Sequence, residues 1–542
     1  MLGVATVSMA VNFIVMLSGT LVAGNFLGTE SLAGINVCTP VFAAASFLGA
    51  LISVGSGLVF SKAMGEFDER RAAGVWSQSA YLALGVGLLV FLGMSVGGDW
   101  YLDSNGVTGA ILDEAASYWR WQCVSMALTP LLLLGMAMVY ADGDNVLAMI
   151  AGACYVVGTI GCSILFSVMS GHAGGVSGGT ALSIAIVLAV LSLHFLRKNN
   201  HLKFVRHFSW RDLKEMFIGS APDSLIYLCW GFLVLVVNKL TVAFFDEELL
   251  AVVALGVSIV QFSIVFDGVG EALIPLGGMY AGEKNDNVLR ELANYSAVVA
   301  VGEGLLAGVV MFVFAPAIAT VYGFRGDAAE FLPLAVMVVR ILAFAMPFMA
   351  LLMMMNTHYL VVGHAKFAIW LTILKDFLLP CAFALVFVGY WIGLWVGMVI
   401  GYVVAAVCPF VYVRMIYRRS YFPWLVRKDE RALDFSLLLD GETLVEARDR
   451  VAKFLSAGGI GDETVTRVLC TVEESGLATI KANGSNRPCV EYFVSLVESG
   501  GVRLVVRDDG VTMNSVSVSV SERRYLNTLN CNRTEYCFKA GD

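Results

Sequence analysis

Residues 392–416 read IGLWVGMVIGYVVAAVCPFVYVRMI, and residues 417–428 continue as YRRSYFPWLVRK. The first stretch is long enough to cross a bilayer as a helix, which needs ~20 apolar residues because unpaired backbone groups cannot face lipid. The second stretch is rich in arginine and closes the apolar part of the chain. After Lys428 there are 18 acidic and 13 basic residues, as in an ordinary soluble domain. We therefore predict a polytopic membrane protein with a soluble C-terminal domain.

Eleven similar apolar stretches precede this one, so we predict twelve crossings of the lipid bilayer. The chain is 58% hydrophobic and only 14% charged, which agrees with this class. Its net charge of −8 argues against nucleic acid as a partner. The predicted spans are residues 2–25, 36–62, 73–97, 120–140, 146–169, 174–196, 217–243, 250–279, 291–318, 331–356, 367–389 and 392–416.

Basic residues in the short connections predict the orientation of the chain, because they remain on the cytoplasmic side. The even-numbered connections are basic, whereas the odd-numbered connections are acidic or neutral. Both termini are therefore predicted to be cytoplasmic, in a multi-pass protein of the inner (plasma) membrane. The basic residues are Lys62, Arg70, Arg71, Arg197, Lys198, Lys203, Arg206, Arg211, Lys214, Lys284, Arg290 and Lys366.

The two halves of the membrane part repeat each other. The segment 63–66 corresponds to 280–283, and Pro130 corresponds to Pro347, each at an offset of 217 residues. We predict an all-α membrane part with 12 transmembrane helices in two pseudo-symmetric six-helix bundles, followed by a small α/β sandwich domain. Duplicated bundles are typical of transporters, which bind substrate between the halves; a duplicated scaffold without transport is the alternative. The predicted domains are residues 1–196, a cytoplasmic linker at 197–216, 217–420, and 430–542.

Five acidic residues lie in or near predicted spans, all in the second half: Asp223, Asp267, Glu271, Glu303 and Asp376. Placing a carboxylate at the bilayer centre costs about 2.5–3.5 kcal/mol of insertion free energy, so each of these residues requires a structural or functional explanation. We interpret them as candidate ion- or substrate-binding residues. Coupling to an ion is therefore expected in the C-terminal half.

Asp267 and Glu271 are the strongest pair, because residues i and i+4 share one face of a helix. Pro275 frees the backbone carbonyl of Glu271, and Pro380 frees that of Asp376, since proline has no N–H to donate. A carboxylate beside a free carbonyl oxygen suits a hard cation such as Na⁺. The alternative is a pair that lines an aqueous vestibule or bonds to neighbouring helices.

The other three acids have competing explanations. Asp376 follows Lys375, but neighbours on a helix point about 100° apart and need not pair. Asp223 follows Pro222 at a predicted helix start, where an acid interacts favourably with the helix dipole. Glu303 lies between two glycines, which is also typical of close helix approach.

The chain after Arg427 and Lys428 changes to an α/β pattern. Strands are predicted at 434–439, 489–498 and 502–507, with helices at 442–457 and 463–482. Apolar residues recur at helical spacing in both helices and predict their buried sides, including Leu444 and Val451 in the first and Val468 and Val472 in the second. No histidine lies near Cys531 and Cys537, so we predict no metal site there. The second strand pair ends in the sequence Arg507-Asp508-Asp509-Gly510.

Two segments of the membrane part resemble the multidrug and toxic compound extrusion (MATE) family: residues 21–33, LVAGNFLGTESLA, and residues 60–72, FSKAMGEFDERRA. The resemblance implies export of small organic compounds, often cationic, by alternating access and driven by Na⁺ or H⁺ entry. Many members carry an aspartate in the first helix where this chain has Gly19.

The C-terminal domain resembles the ATP-binding domain of histidine kinases, in residues 472–478, VEESGLA, and 508–514, DDGVTMN. The resemblance implies a site at Glu474, Asp508 and Gly510, but Ala478 stands where the family has its magnesium-binding asparagine, and the glycine-rich lid is absent. We expect a non-hydrolysing regulatory domain, no bound cofactor and no enzymatic activity, with ATP binding or kinase activity as the alternative. A second alternative is a membrane sensor whose tail docks a cytosolic protein.

Overall fold

Long apolar helices form the chain from Thr29 to Ile416, and an α/β domain follows. The computed structural model describes residues 22–23, 26–27, 29–104, 109–197, 200–206, 208–245, 249–322, 324, 330–484, 486–497, 501–511, 522–528 and 531–539. The described part divides into a helical unit and a second unit. The second unit contains the C-terminal domain together with two short segments, Lys62–Glu69 and Met279–Glu291.

Fourteen helices of the described membrane part are labelled here in chain order. They are α1 Thr29–Gly65, α2 Glu69–Ser104, α3 Ala110–Ala141, α4 Asn145–Ser170, α5 Gly174–Ser192, α6 Trp210–Phe244, α7 Leu250–Gln261, α8 Asp267–Glu283, α9 Asp286–Val321, α10 Leu332–Ala343, α11 Met346–Val361, α12 Ala365–Ile373, α13 Leu379–Val386 and α14 Trp391–Ile416.

Ten of the described helical stretches are long and apolar enough to cross a membrane, or eleven if the bent pair α10 and α11 is one span. That pair is bent by 45°. The predicted first span, residues 2–25, lies almost wholly outside the described residues, as does Gly19. The result supports a polytopic membrane fold of the predicted kind.

The turns that follow α1 and α8 have the same backbone hydrogen bonds. The amide of Asp68 donates to the carbonyl of Ala63, and the amide of Asn285 donates to that of Tyr280. The left-handed residues match as well, with φ of 59° at Phe67 and 60° at the equivalent Lys284. This shared geometry at an offset of 217 residues supports the predicted duplication.

Two of the helical stretches contain a local change of helix type. A 3₁₀ turn, Phe262–Phe266, separates α7 from α8, and a π turn, Leu374–Leu378, separates α12 from α13. Such interruptions are frequent at functional sites. They lie beside Asp267 and around Asp376, two of the predicted site residues.

The C-terminal domain is a five-stranded antiparallel sheet with two helices on one face. Strands β1 Ala432–Leu438, β2 Cys489–Leu496, β3 Val502–Asp508, β4 Glu522–Thr528 and β5 Cys531–Phe538 pair in the order β1-β2-β3-β5-β4. Helices α15 Gly441–Ala457 and α16 Asp462–Asn483 cover one face. Their predicted apolar sides, including Leu444, Val451, Val468 and Val472, form the core with Tyr492 and Leu504. The two helices and the first three strands lie close to their predicted positions, whereas β4 and β5 were not predicted.

Candidate ion and substrate site

Three of the predicted acids interact electrostatically with one another and with a lysine in the C-terminal half. Asp223 comes from α6 and Asp267 is the first residue of α8, while Lys375 and Asp376 lie in the π turn. The charges of all four groups interact. One ammonium group among three carboxylates leaves excess negative charge when all are ionised. The arrangement favours a cation as the bound species.

Lys375 is the basic member of this group of four side chains. Its side chain is only 2% exposed, and its Nζ lies 2.6 Å from Oδ2 of Asp376 and 3.1 Å from Sδ of Met353. The expectation that Lys375 and Asp376 need not pair was therefore wrong. It assumed regular α-helical spacing, whereas the two residues lie in a π turn. A buried charge needs such a partner because desolvation is costly.

Asp223 does not lie at a helix start, so the dipole explanation for it is wrong. Helix α6 begins at Trp210, within the predicted linker, and Ser209 caps it by accepting a hydrogen bond from the amide of Asp212. Pro222 lies inside the helix rather than in its first turn. Asp223 therefore reaches the cluster from the middle of a membrane-spanning helix.

Gly270 brings α8 and α11 together beside Asp267. A Cβ atom at Gly270 would lie 2.6 Å from Oγ1 of Thr357 and 2.8 Å from Oδ1 of Asp267. Thr357 is buried and also donates to the carbonyl of Met353 at 3.5 Å. The side chains of Thr357 and Asp267 therefore both lie next to Gly270.

The remaining two predicted acids are not part of the described cluster. The side chain of Glu271 lies outside the described residues, although its backbone belongs to α8. Glu303 lies on α9, where a Cβ atom at the adjacent Gly304 would lie 2.5 Å from Cα of Pro347. The close helix approach that was the alternative explanation for Glu303 is thus present at its neighbour.

Sequence reasoning missed Lys375 and Thr357 as members of the site. A buried lysine in a membrane span is as unusual as a buried acid, so charge alone could have identified Lys375. Thr357 carried no comparable signal, because its position depends on the packing of α8 against α11. Among the described residues, no three histidine, cysteine, aspartate or glutamate side chains converge as a metal site.

The acidic residues that resemble an ATP site, Glu474 and Asp508, lie on α16 and β3. Oδ1 of Asp508 already accepts hydrogen bonds from Nδ2 of Asn532 at 2.7 Å and from the amide of Gly510 at 3.1 Å. Burial also raises the pKa of Asp508 above its ordinary value. Glu474 is exposed on α16.

Solved structures similar to this chain show the same fold. An outward-facing multidrug resistance MATE transporter of the MOP superfamily aligns with a TM-score of 0.72 and 24% identity, covering 76% of this chain and 94% of that one. A MATE structure in complex with MaL6 aligns with a TM-score of 0.71 and 23% identity, covering 76% and 95%.

Sequence relatives point the same way. Multidrug export protein MepA of Staphylococcus haemolyticus is 26% identical over 257 residues, and that of Staphylococcus aureus strain N315 is 25% identical over 258. These matches cover 46% of this chain and 56% of each relative, so the chain spans about half the length of the curated relatives it matches. The MatE family model matches residues 5–169 and again 224–386, which is more than half of the chain. The chain therefore belongs to the MatE family, whose members are transporters and not enzymes.

Proposed function

We propose that this protein is a secondary active exporter of small organic cations, driven by entry of Na⁺ or H⁺. The observation that carries the proposal is the excess of acidic over basic side chains among Asp223, Asp267, Lys375 and Asp376 inside the C-terminal half. Binding of a small cation neutralises the excess negative charge. When the site faces the opposite side of the membrane, release of the cation restores the excess negative charge.

Contacts between the two halves support alternating access as the mechanism. Helix α1 meets α6 where the amide of Gly55 donates to Oγ of Ser220 at 2.7 Å. It also meets α8, where a Cβ atom at Gly278 would lie 2.9 Å from Cβ of Ser61. At these contacts the backbone of α1 lies close to the backbones of α6 and α8, because small side chains separate them. Such a seam can separate as two rigid halves rock about a central site.

The substrate class follows from the charge of the site and from the named activity of the relatives. MepA proteins are described as multidrug export proteins. In this chain, Met353, Met354 and Met355 are all buried in α11, close to Lys375 through Met353. Methionine side chains are flexible and polarizable, so they adapt to apolar partners of varied shape. An organic cation combines the charge and the apolar surface that these residues accept.

The C-terminal domain is proposed to be regulatory and not to hydrolyse ATP. Support comes from the hydrogen bonds that occupy Asp508 and from Ala478, which offers no oxygen to a magnesium ion. Glu473, which forms a surface ion pair with Arg448 at 2.8 Å, behaves as part of a solvated helix face.

Transport by purified protein in liposomes tests this function. With a cationic dye as cargo and an imposed ion gradient, we expect Asp267→Asn to reduce flux to the leak rate of empty liposomes. Asp103→Asn, at an exposed position at the end of α2, is the matched control and should transport normally. Wild-type flux in Asp267→Asn would remove that residue from the mechanism. Ligand-dependent signalling without any flux would favour the membrane-sensor alternative.

A further inference from the structure

The two repeat-related turns of the second unit touch each other through glycine. A Cβ atom at Gly282 would lie 2.9 Å from Cα of Gly65 and 2.4 Å from the carbonyl oxygen of Lys62. One at Gly65 would lie 2.3 Å from the carbonyl oxygen of Met279. The C-terminal end of α1, in the first half, is therefore in backbone contact with the C-terminal end of α8, in the second half. Basic residues predict both turns to be cytoplasmic.

Glu283, in the second turn, is fully buried between two arginines of the C-terminal sheet. Its carboxylate accepts hydrogen bonds from Arg507 on β3 and Arg533 on β5. These two arginines are directly paired across the strands, so both point from the sheet face opposite α15 and α16. Arg507 also bonds Oε2 of Glu491 at 2.8 Å. The bonds from Arg507 and Arg533 to the Glu283 carboxylate are charge-assisted, and such bonds are stronger than neutral ones.

Arg533 also holds the first turn. Its Nη1 donates to the carbonyl oxygen of Met64 at 2.9 Å, and its Nη2 donates to that of Gly65 at 3.3 Å. Its guanidinium lies 4.3 Å from the centre of the Phe67 ring. The two carbonyls end α1, where the helix dipole favours a positive charge. One fully buried arginine thus joins the end of α1, from one repeat, to Glu283, from the other.

Further contacts attach the second turn to the same domain. Nη1 of Arg503 donates to the carbonyl oxygen of Glu283, and Nδ2 of Asn287 donates to the carbonyl of Asp429 at 3.0 Å. Asn285 bonds the carboxylate of Asp434. The repeats differ here, because Glu66, the counterpart of Glu283, is exposed. The sheet therefore holds one turn by a buried carboxylate and the other by its terminal carbonyls.

We propose that the C-terminal domain is a latch that holds the two cytoplasmic turns together, and that the Glu283–Arg507–Arg533 cluster must open before those turns can separate. The proposal rests on the proposed function, because alternating access requires the cytoplasmic ends of the two halves to part. It deepens that function by assigning the domain a mechanical role that needs no nucleotide. Opening the latch would expose buried charges, so the latched state resists separation.

Distances between the turns in the full-length protein test the latch. Spin-labelled residues replacing the exposed Glu66 and Lys284 allow pulsed electron paramagnetic resonance in lipid nanodiscs. We expect one short distance in the otherwise unchanged protein. Glu283→Gln and Arg533→Gln should each raise the ratio of long to short distances by about tenfold, because each removes charge-assisted bonds. Arg448→Ala, on the exposed side of α15, is the matched control and should leave the ratio unchanged.

An unchanged distance distribution in Glu283→Gln would overturn the latch. This variant decides the case even if Arg533→Gln unfolds the sheet, because Glu283 lies outside the C-terminal domain sequence. The measurement needs no substrate or flux. If the protein transports nothing but the variants show the expected distances, the proposed function is contradicted and the latch is supported. If transport is normal but the distances in Glu283→Gln are unchanged, the latch is contradicted and the proposed function is supported.

Discussion

At the scale of single residues, the ion pair of Lys375 and Asp376 sets the charge of the candidate site. The side chain of Lys375 is only 2% exposed, and the carboxylate of Asp376 compensates for its lost hydration. The same lysine interacts with Asp223 and Asp267. A cation that binds to the cluster therefore competes with a positive group already attached to the protein.

Lys375→Met should destabilise the protein by about 3–5 kcal/mol, because it leaves Asp376 partly buried without its cation. Asp376→Asn should be destabilising for the converse reason. The double variant Lys375→Met/Asp376→Asn should recover much of the loss, since neither charge then lacks a partner. Thermal unfolding in detergent measures all four states of this cycle. Losses that simply add in the double variant would show that the two charges do not depend on each other.

Glu491 predicts a pH dependence for the C-terminal domain. Burial, together with the nearby Asp434 carboxylate, raises the pKa of Glu491 to about 8. The folded state therefore binds a proton more tightly than the unfolded state, whose glutamate pKa is about 4.3. The proton on Glu491 therefore stabilises the folded state. This contribution is fully present below a pH of about 4.3 and is lost as the pH rises to about 8.

Thermal unfolding of the full-length protein between pH 5 and pH 8 measures this effect at the transition of the C-terminal domain. We expect stability to fall with rising pH, by at most about 1.4 kcal/mol per pH unit for one proton. Glu491→Gln cannot titrate and should show a flatter profile. The same slope in wild type and in Glu491→Gln would assign the pH dependence to other groups.

At the scale of helices and strands, glycine positions decide where helices approach. Gly304 and Gly302 lie on the same helix, α9, two residues apart. A Cβ atom at Gly304 would lie 2.5 Å from Cα of Pro347, whereas one at Gly302 meets nothing within 4 Å. The two positions form a matched pair for the effect of one methyl group.

Gly304→Ala should destabilise the protein by about 1–3 kcal/mol, because the added methyl group forces α9 and α11 apart. Gly302→Ala should be neutral or slightly stabilising, since alanine favours the helix and has open space there. Thermal unfolding of both variants in the same detergent compares them directly. Equal effects would mean that α9 does not pack on Pro347 as described.

Most elements could be predicted from the sequence, because apolar length and alternation depend on local residue order. The apolar faces of α15 and α16 illustrate this, since their spacing alone placed Val451 and Val468 in the core. The position of Asp223 could not be predicted in this way. Proline is compatible with a helix start and with a tolerated interior position, and only the packed structure distinguishes the two.

The interactions of the site depend on contacts that are distant in sequence, which explains why they were predicted less completely. The π turn at Leu374–Leu378 changes the direction of Lys375, and no local pattern indicated it. The role of Glu283 was missed for a similar reason. Its partners Arg507 and Arg533 lie more than 200 residues later, although the repeat that contains Glu283 was visible in the sequence.

At the scale of the whole molecule, a duplicated helical part that matches the MatE family is followed by a C-terminal α/β domain. The MatE model matches both halves of the membrane part, in agreement with the repeated turns. The acidic cluster occurs in the second half, where Asp223, Asp267 and Asp376 lie. We propose that ion coupling depends on these residues of the second half.

Flux driven by one ion gradient at a time tests that claim most directly. Wild-type protein in liposomes is supplied with a cationic dye, and a Na⁺ gradient and a pH gradient are imposed separately. We predict that at least one gradient drives dye accumulation, accompanied by movement of that ion in the opposite direction. If the dye moves no faster than in protein-free liposomes under both gradients, the protein is not an ion-coupled exporter of this dye class.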